Sequence, residues 1–272
     1  MVPPLECVVN VSTADGEVVD ALAGATGTAL LDVHTDGDHN RTVFTLAGPT
    51  VEMAVRSLTR VATTTLDINL HCGAHPRIGV VDVVPFVPLD GSDLAQALAA
   101  RDSFALWASA ELDLPCFLYG PERQLPEVRR SAFTTLKPDQ GPSEPHPTAG
   151  AVAVGARPPL VAYNLWLDSS DVATARRIAA AIRRPSLRTL GLDLSGRPQV
   201  STNLLQPLDI GPAEVYDLVA AAAPIARAEL VGLLPEAVLR RIPSERWQQL
   251  DVAQERTIEL RLERSGQHGW PA

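Results

Sequence analysis

The chain has 272 residues, 46% of them hydrophobic and 20% charged, so it can bury a sizeable core and is not a disordered tract. A formal net charge of −9 repels phosphate backbones and argues against nonspecific binding to nucleic acid. No run of about 18 apolar residues is present to span a membrane, and the opening MVPPLECVVNVS lacks the basic and apolar regions of a secretory signal. Cys7, Cys72 and Cys116 are odd in number and fit neither zinc nor disulfide spacing. A soluble cytoplasmic protein is the expectation.

In chain order, residues 5–10 read as a strand. Residues 16–25 form a helix behind an Asp15 N-cap, with Val18, Val19, Leu22 and Ala23 on one face. Strands follow at 28–34 and, past the polar turn TDGDHN, at 41–47. A helix over 50–65 places Val51, Val55, Leu58 and Val61 at helical spacing. The next strand, 80–88, contains Pro85 and Pro88, which predicts an irregular or edge position. A helix near 92–112 and a strand at 115–119 extend this β-α-β-β-α-β order. The Pro- and Gly-rich stretch 138–150 is either a linker or an ordered binding loop. The order then repeats: strand 160–167, a helix over 171–184 capped by Ser170 or Asp171, strands near 187–194 and 198–205, a helix over 212–223 and a strand near 226–231. Short helices follow residue 232, and 254–264 reads as helix or strand.

The expected fold class is therefore α/β (α+β), with two ferredoxin-like βαββαβ subdomains. Each sheet buries one face under its own helices. The economical way to cover the other faces is sheet against sheet, with helices outside and a ligand cleft at the seam.

Several chemistries compete for the polar residues. His34, Asp36, Asp38, His39, His71 and His75 contain the donor types for Zn²⁺ or Mn²⁺, which would make a metal-dependent hydrolase. However, His71 and His75 share a face only if 71–75 is helical, and Gly73 and Pro76 oppose that. No G-x-S-x-G, G-x-G-x-x-G or Walker A pattern occurs. General acid–base work is the chemistry that remains. Histidine's unperturbed pKa lies near neutrality, so His75 is the candidate, and Arg77, two residues on, can clamp a carboxylate. On the residues alone the reading that prevails is a loop histidine hydrogen-bonded to backbone, and His71 reads as orienting or structural rather than catalytic.

Seven blocks in order carry a resemblance: ECVVNVS (6–12), LLDVHTDGDHNRTVFTLAG (30–48), HCGAHPRIGVVDVVPFVP (71–88), CFLYG (116–120), DQGPSEPHPTAGAVAVGAR (139–157), QVSTNLL (199–205) and ELVGLLP (229–235). Together they resemble the formiminotransferase domain of the glutamate formimidoyltransferases. The chain departs from the family's common pattern at Val9, Val11, Thr13, His34 and Ala74.

The resemblance implies an N-terminal subdomain over 1–157 and a shortened C-terminal subdomain over 158–272, with a folate tunnel between them. It implies transfer of a formimino group from N-formimino-L-glutamate to N5 of tetrahydrofolate, the acceptor substrate, with no metal and no cyclodeaminase activity. It implies His75 as acid–base residue, with Arg77, and more weakly Arg41, for substrate carboxylates. The family's folate-contacting loop falls on Gly141–Gly150, including Pro142, Ser143, His146 and Thr148. Asn10, His34, His39, Asn40 and Asn203 complete the expected binding set, each against the alternative of a turn-stabilising side chain. The expected partners are small-molecule substrates, with no nucleic acid and no membrane. A homodimer is expected only from the general frequency of two-fold oligomers. A non-catalytic folate-binding relative is the alternative function.

Overall fold

The structure is a computed structural model that describes residues 4–73, 77–169 and 171–266. It divides into two units, one reaching to Pro158 and the other spanning Pro159–Arg264.

In the first unit, strands β1 (Leu5–Val11), β2 (Leu30–Asp36), β3 (Arg41–Ala47) and β4 (Val81–Pro88) alternate with helices α1 (Gly16–Thr26), α2 (Val51–Thr65) and α3 (Leu94–Leu112). Strand β5 (Cys116–Tyr119), helix α4 (Leu125–Ser131) and strand β6 (Val152–Ala156) follow. Asp15 caps α1 by accepting from the Glu17 and Val18 amides, which satisfies two donors at the helix start. Asp93 and Gln96 form a capping box on α3. Helix α2 buries Val51, Ala54, Val55, Leu58 and Ala62, the spacing of one helical stripe. Alternation along β1 points Leu5, Cys7, Val9 and Val11 into the same core, with Phe44, Phe86 and Phe104.

The six-stranded sheet has the order β2-β3-β1-β4-β6-β5. Its first four strands have the ferredoxin-like order, and β6 and β5 add in parallel. On the face away from that core, α4 and Phe133 cover Val83, Phe117, Tyr119 and Ala153 in a smaller cluster.

Strand β4 corrects the edge reading, because it lies between β1 and β6 in the sheet interior. The irregularity is present. Paired residues run from Leu5 to Cys7 against Pro88 to Phe86 and resume at Asn10 opposite Val83, with a register shift at Val11. The stretch opposite Pro85 carries no β1 pair, so a residue without an N–H is accommodated there. The strand expected at 28–34 begins later. Gly27, at φ 58°, ends α1 and opens a 3₁₀ turn over Gly27–Ala29 before β2. Helix α4 and strand β6 were not anticipated.

The second unit runs β7 (Val161–Leu167), α5 (Val172–Ile182), β8 (Leu187–Leu194), β9 (Arg197–Leu204), α6 (Pro212–Ala220) and β10 (Ile225–Val231). Its antiparallel sheet has the order β10-β7-β9-β8, again the ferredoxin-like arrangement. Asp171 caps α5 through the Ala173 amide; Ser170, the other candidate, lies outside the described residues. Tyr163, Leu165, Leu187, Val200, Leu204 and Leu230 form a separate core under the helices. The buried Tyr163 hydroxyl donates to the Leu250 carbonyl at 2.9 Å. Two short helices, α7 (Glu236–Leu239) and α8 (Ile258–Arg264), close the unit, so the stretch at 254–264 is helical. Among the described residues no helix is long and apolar enough to cross a membrane.

Candidate functional site

In the first unit, the ends of β1 and β4, the β2–β3 turn and Arg77 enclose a recess of about 180 Å³, part of it open to solvent. Ser12, His39, Arg41, Arg77 and Asp82 line it. Ser12 closes one side: its amide donates to Val80 O and its hydroxyl to Gly79 O, both at 2.8 Å. The β2–β3 turn closes another. The buried Asp36 carboxylate accepts from the His39 amide at 3.0 Å, and its other oxygen stands 3.8 Å from His39 Nε2. This places a 2%-exposed imidazole beside a buried carboxylate.

Asn40 holds the turn's left-handed corner at φ 45°, a conformation Asn tolerates better than most residues. Its Oδ1 accepts from the Ala14 amide at 2.8 Å, and its Nδ2 donates to Cys72 O at 2.9 Å and faces His71 Nδ1 at 3.4 Å. One amide thus ties β1's exit to residues 71–72. Gly73 packs so closely on this turn that a Cβ would overlap the His39 carbonyl oxygen and lie 2.9 Å from the Arg77 guanidinium.

Asp82 is the buried acid of the recess, at 4% exposure. It accepts from the Ile78 amide at 2.8 Å and takes Arg129 of α4 in a two-pronged contact at 2.5 and 3.2 Å. Arg77 stands in the same field. Burial lowers its pKa, Asp82 raises it and Arg129 lowers it. Even lowered, a guanidinium keeps its charge at neutral pH. Arg41, Arg77 and Arg129 therefore give a strongly acidic protein a local positive site, suited to carboxylates.

The stretch 138–150 is an ordered loop. Cys116 and Gln140 pair at its start through Cys116 N to Gln140 O at 2.9 Å, and Arg123 grips Asp139 at 2.6 and 3.1 Å. At its end, His146 and Gly150 exchange backbone hydrogen bonds at 2.8 and 3.0 Å. His146 Nδ1 accepts from the Ala149 amide at 2.9 Å, so this ring shapes the turn through that nitrogen. Ile68 N donates to Thr148 O at 2.7 Å and Val80 N to Ala149 O at 3.0 Å. The loop's closing limb thus lies against the described chain on both sides of residues 74–76. Gly141, Pro142 and Ser143 are exposed at its tip.

Of the expected residues, the structure gathers His39, Arg41 and Arg77 at the recess, with Asn40 and His71 adjoining. Gly150 bridges Gly79, and Thr148 O accepts from the Ile68 amide. His34, Val43, Asn10 and Val83 occupy one register row across β2, β3, β1 and β4. Asn10 donates to Val8 O at 3.2 Å. Asn203 is exposed on β9 of the second unit. His75, with Ala74 and Pro76, lies outside the described residues; its described neighbours Gly73 and Arg77 both stand at the recess. Among the described residues, no group of three or more His, Cys, Asp or Glu is arranged to hold a metal ion.

Ser12 and Arg129 escaped sequence reasoning, and Asp82 received no role. For Asp82 a signal existed: one acid within the apolar run VVDVVPFV requires a buried partner. Arg129 carried none, because α4 itself was not anticipated.

The second unit's sheet presents a polar face opposite its core. Two guanidiniums, of Arg197 and Arg227, lie 4.8 and 4.5 Å from the Trp166 ring centroid. Trp166 Nε1 and Asn164 Nδ2 donate to Glu229 at 3.0 and 3.3 Å. Gln199 and Asn203 alternate with core residues along β9 on this face.

Fold and site together define an α/β protein of paired ferredoxin-like units with a basic, carboxylate-suited recess. Residues 4–157 match the formiminotransferase domain, N-terminal subdomain. The chain is 36% identical over 230 residues to the glutamate formimidoyltransferase of Streptococcus pyogenes serotype M1, covering 74% of this chain and 77% of that one. It is 31% identical over 273 residues to the glutamate formimidoyltransferase of Thermoplasma acidophilum, covering 86% and 89%. It is 34% identical over 275 residues to the formimidoyltransferase-cyclodeaminase of Rattus norvegicus, covering 85% of this chain and 50% of that longer protein. The chain belongs to the formiminotransferase family.

Proposed function

We propose that this chain is a glutamate formimidoyltransferase, moving the formimino group of N-formimino-L-glutamate to N5 of tetrahydrofolate and releasing glutamate. The observation that supports this reading best is the basic recess of Ser12, His39, Arg41, Arg77 and Asp82, which lies within the family-matched residues. Our reading assigns Arg77 and Arg41 to the carboxylates of formiminoglutamate. It assigns the proton work to His75, which lies outside the described residues between Gly73 and Arg77 in the chain, and assigns folate contact to the 141–150 loop. Residues to 157 would then be the formiminotransferase N-terminal subdomain and those from 158 the C-terminal one.

The chemistry requires little more. N5 of tetrahydrofolate attacks the amidine carbon, and the C=N electron pair moves to the imino nitrogen, giving a tetrahedral centre. N5 gives up its proton to the imidazole as its C–N bond forms. The imidazole then delivers that proton to the glutamate nitrogen, whose bond to carbon breaks as the C=N bond reforms. The products are 5-formiminotetrahydrofolate and glutamate, with no net proton change. One imidazole near its neutral pKa can serve as base and then acid, worth roughly 10²- to 10⁴-fold. Confining both substrates contributes further by proximity.

The test is glutamate release from formiminoglutamate in the presence of tetrahydrofolate, with His75→Ala as the comparison. Turnover in the wild type, and a fall of about 10²-fold or more in the variant with folate binding retained, is expected. Wild-type protein that binds tetrahydrofolate yet releases no glutamate would mark a binding protein instead.

A further inference from the structure

The turn over 146–150 is built around one ring nitrogen. The Ala149 and Thr148 amides donate to His146 Nδ1 at 2.9 and 3.3 Å. A backbone amide can only donate, so Nδ1 must carry its lone pair and the ring must be neutral, with its proton on Nε2. The carbonyls of the same turn are engaged by other segments. Asn69 Nδ2 donates to Pro147 O at 2.8 Å, Ile68 N to Thr148 O at 2.7 Å and Val80 N to Ala149 O at 3.0 Å. Ala151 N continues the ladder to Ile78 O at 2.9 Å. The turn is thus held by its own ring on one side and by the 68–69 and 78–80 segments on the other.

The 78–80 segment in turn joins three residues of the recess. Arg77 precedes it, Ser12 donates to its Gly79 and Val80 carbonyls, and its Ile78 amide donates to Asp82. We propose that His146 is a positioning residue for the recess and serves only as the neutral imidazole: its Nδ1 holds the 146–150 turn, and the turn holds the 78–80 segment. A proton on Nδ1 sets an N–H against two other N–H groups, so the ring must swing away and both amides lose their acceptor. The kinetic consequence rests on the transferase reading, in which Arg77 takes a carboxylate of formiminoglutamate. The other ionisable groups on the segments packed here are Asp67 and His71 on one side, Arg77 and Asp82 flanking the 78–80 segment, and Asp139 and Glu144 on the loop itself.

His146→Asn separates the acceptor from its titration, because Asn Oδ1 is as many bonds from the backbone as Nδ1 and takes no proton near neutrality. Amide hydrogen exchange of the full chain, corrected for the intrinsic pH dependence of exchange, is compared at about pH 8 and about pH 5.5, on either side of the ordinary histidine range. Wild-type protection at Ala149 and Val80 is expected to fall about 10-fold on acidification, from two lost hydrogen bonds. The Asn variant is expected to keep the wild type's higher protection at both pH values. A wild-type fall of less than about twofold overturns the inference. So does an Asn variant that loses protection with acid as the wild type does, or that is unprotected throughout. The ring-nitrogen chemical shifts of the wild type need no variant: a protonated Nδ1 at about pH 8 refutes the proposal. In glutamate release, the KM for formiminoglutamate should rise on acidification about 3- to 10-fold more in wild type than in the Asn variant, with His75 present in both. Equal rises overturn the positioning role. Exchange that behaves as expected in protein that releases no glutamate overturns the transferase reading and leaves the hold of His146 on the recess standing.

Discussion

Asp82→Asn offers a direct measure of what holds the recess together. The carboxylate is 4% exposed, and the substitution retains one oxygen for the Ile78 amide but presents an NH₂ to Arg129. Removing one partner of a buried pair costs about 3–5 kcal/mol, mostly from the charge left behind. The Arg129 side chain is 18% exposed, so water screens part of that loss, and about 2–3 kcal/mol is the expected penalty. At a urea slope of about 2 kcal/mol per M, the midpoint should fall by about 1–1.5 M. Circular dichroism would measure the midpoint, and hydrogen exchange over residues 77–88 would localise the loosening. The double variant Asp82→Asn, Arg129→Gln removes both charges and should recover part of the loss, with a coupling of about 1–2 kcal/mol. A single variant within about 0.5 kcal/mol of wild type, or a purely additive double variant, would refute the argument.

Arg77→Gln should raise the KM for formiminoglutamate about 10- to 100-fold with little change in melting temperature, read by steady-state kinetics beside a thermal melt. Gly150→Ala places a side chain at φ +72° and against the Ile78 carbonyl, so a loss of about 2 kcal/mol or more is expected in urea unfolding. Thiol titration of folded protein near pH 8 should modify Cys72 alone. Cys72 is exposed, whereas burial raises the thiol of Cys7 and pushes that of Cys116 up to about 12. The same burial gives an alkaline prediction. The folded state keeps the Cys116 and Tyr119 protons up to about 12, while the unfolded chain releases them near 9 and 10. The unfolded state thus holds fewer protons in this window. The contribution of these two groups should be constant below about pH 8, and stability should fall by up to about 1.4 kcal/mol per pH unit per group as pH rises toward 12, as urea melts between pH 8 and 12 would show.

Periodicity made most of the fold legible. The stripe of α2, the alternation of β1 and the acid caps of α1 and α5 each state a local preference that the tertiary structure also uses. What stayed hidden had weak local signals. Strand β6 is Val-Ala-Val-Gly-Ala, whose small side chains look like the tail of the preceding loop, and parallel pairing with β4 and β5 decides its state. Helix α4 is seven residues long, too short for periodicity to show. Pro85 misled because proline reports a missing donor, whereas the lapse in the β1 ladder that tolerates it is a long-range fact. At the site, residue types pointed to Arg77 and the 36–40 turn. The partnership of Asp82 with a residue 47 positions away exists only once the chain is folded.

Gly79 and Gly150 meet as a bridged pair, and a Cβ on either would overlap backbone of the opposing segment. The first follows Arg77 by two positions, and the second ends the 138–150 loop. Neither can acquire a side chain before the other strand has moved away, so no single mutational step opens this crossing. The separation of those two segments is accordingly set by backbone against backbone, with no side chain between them to trim or enlarge.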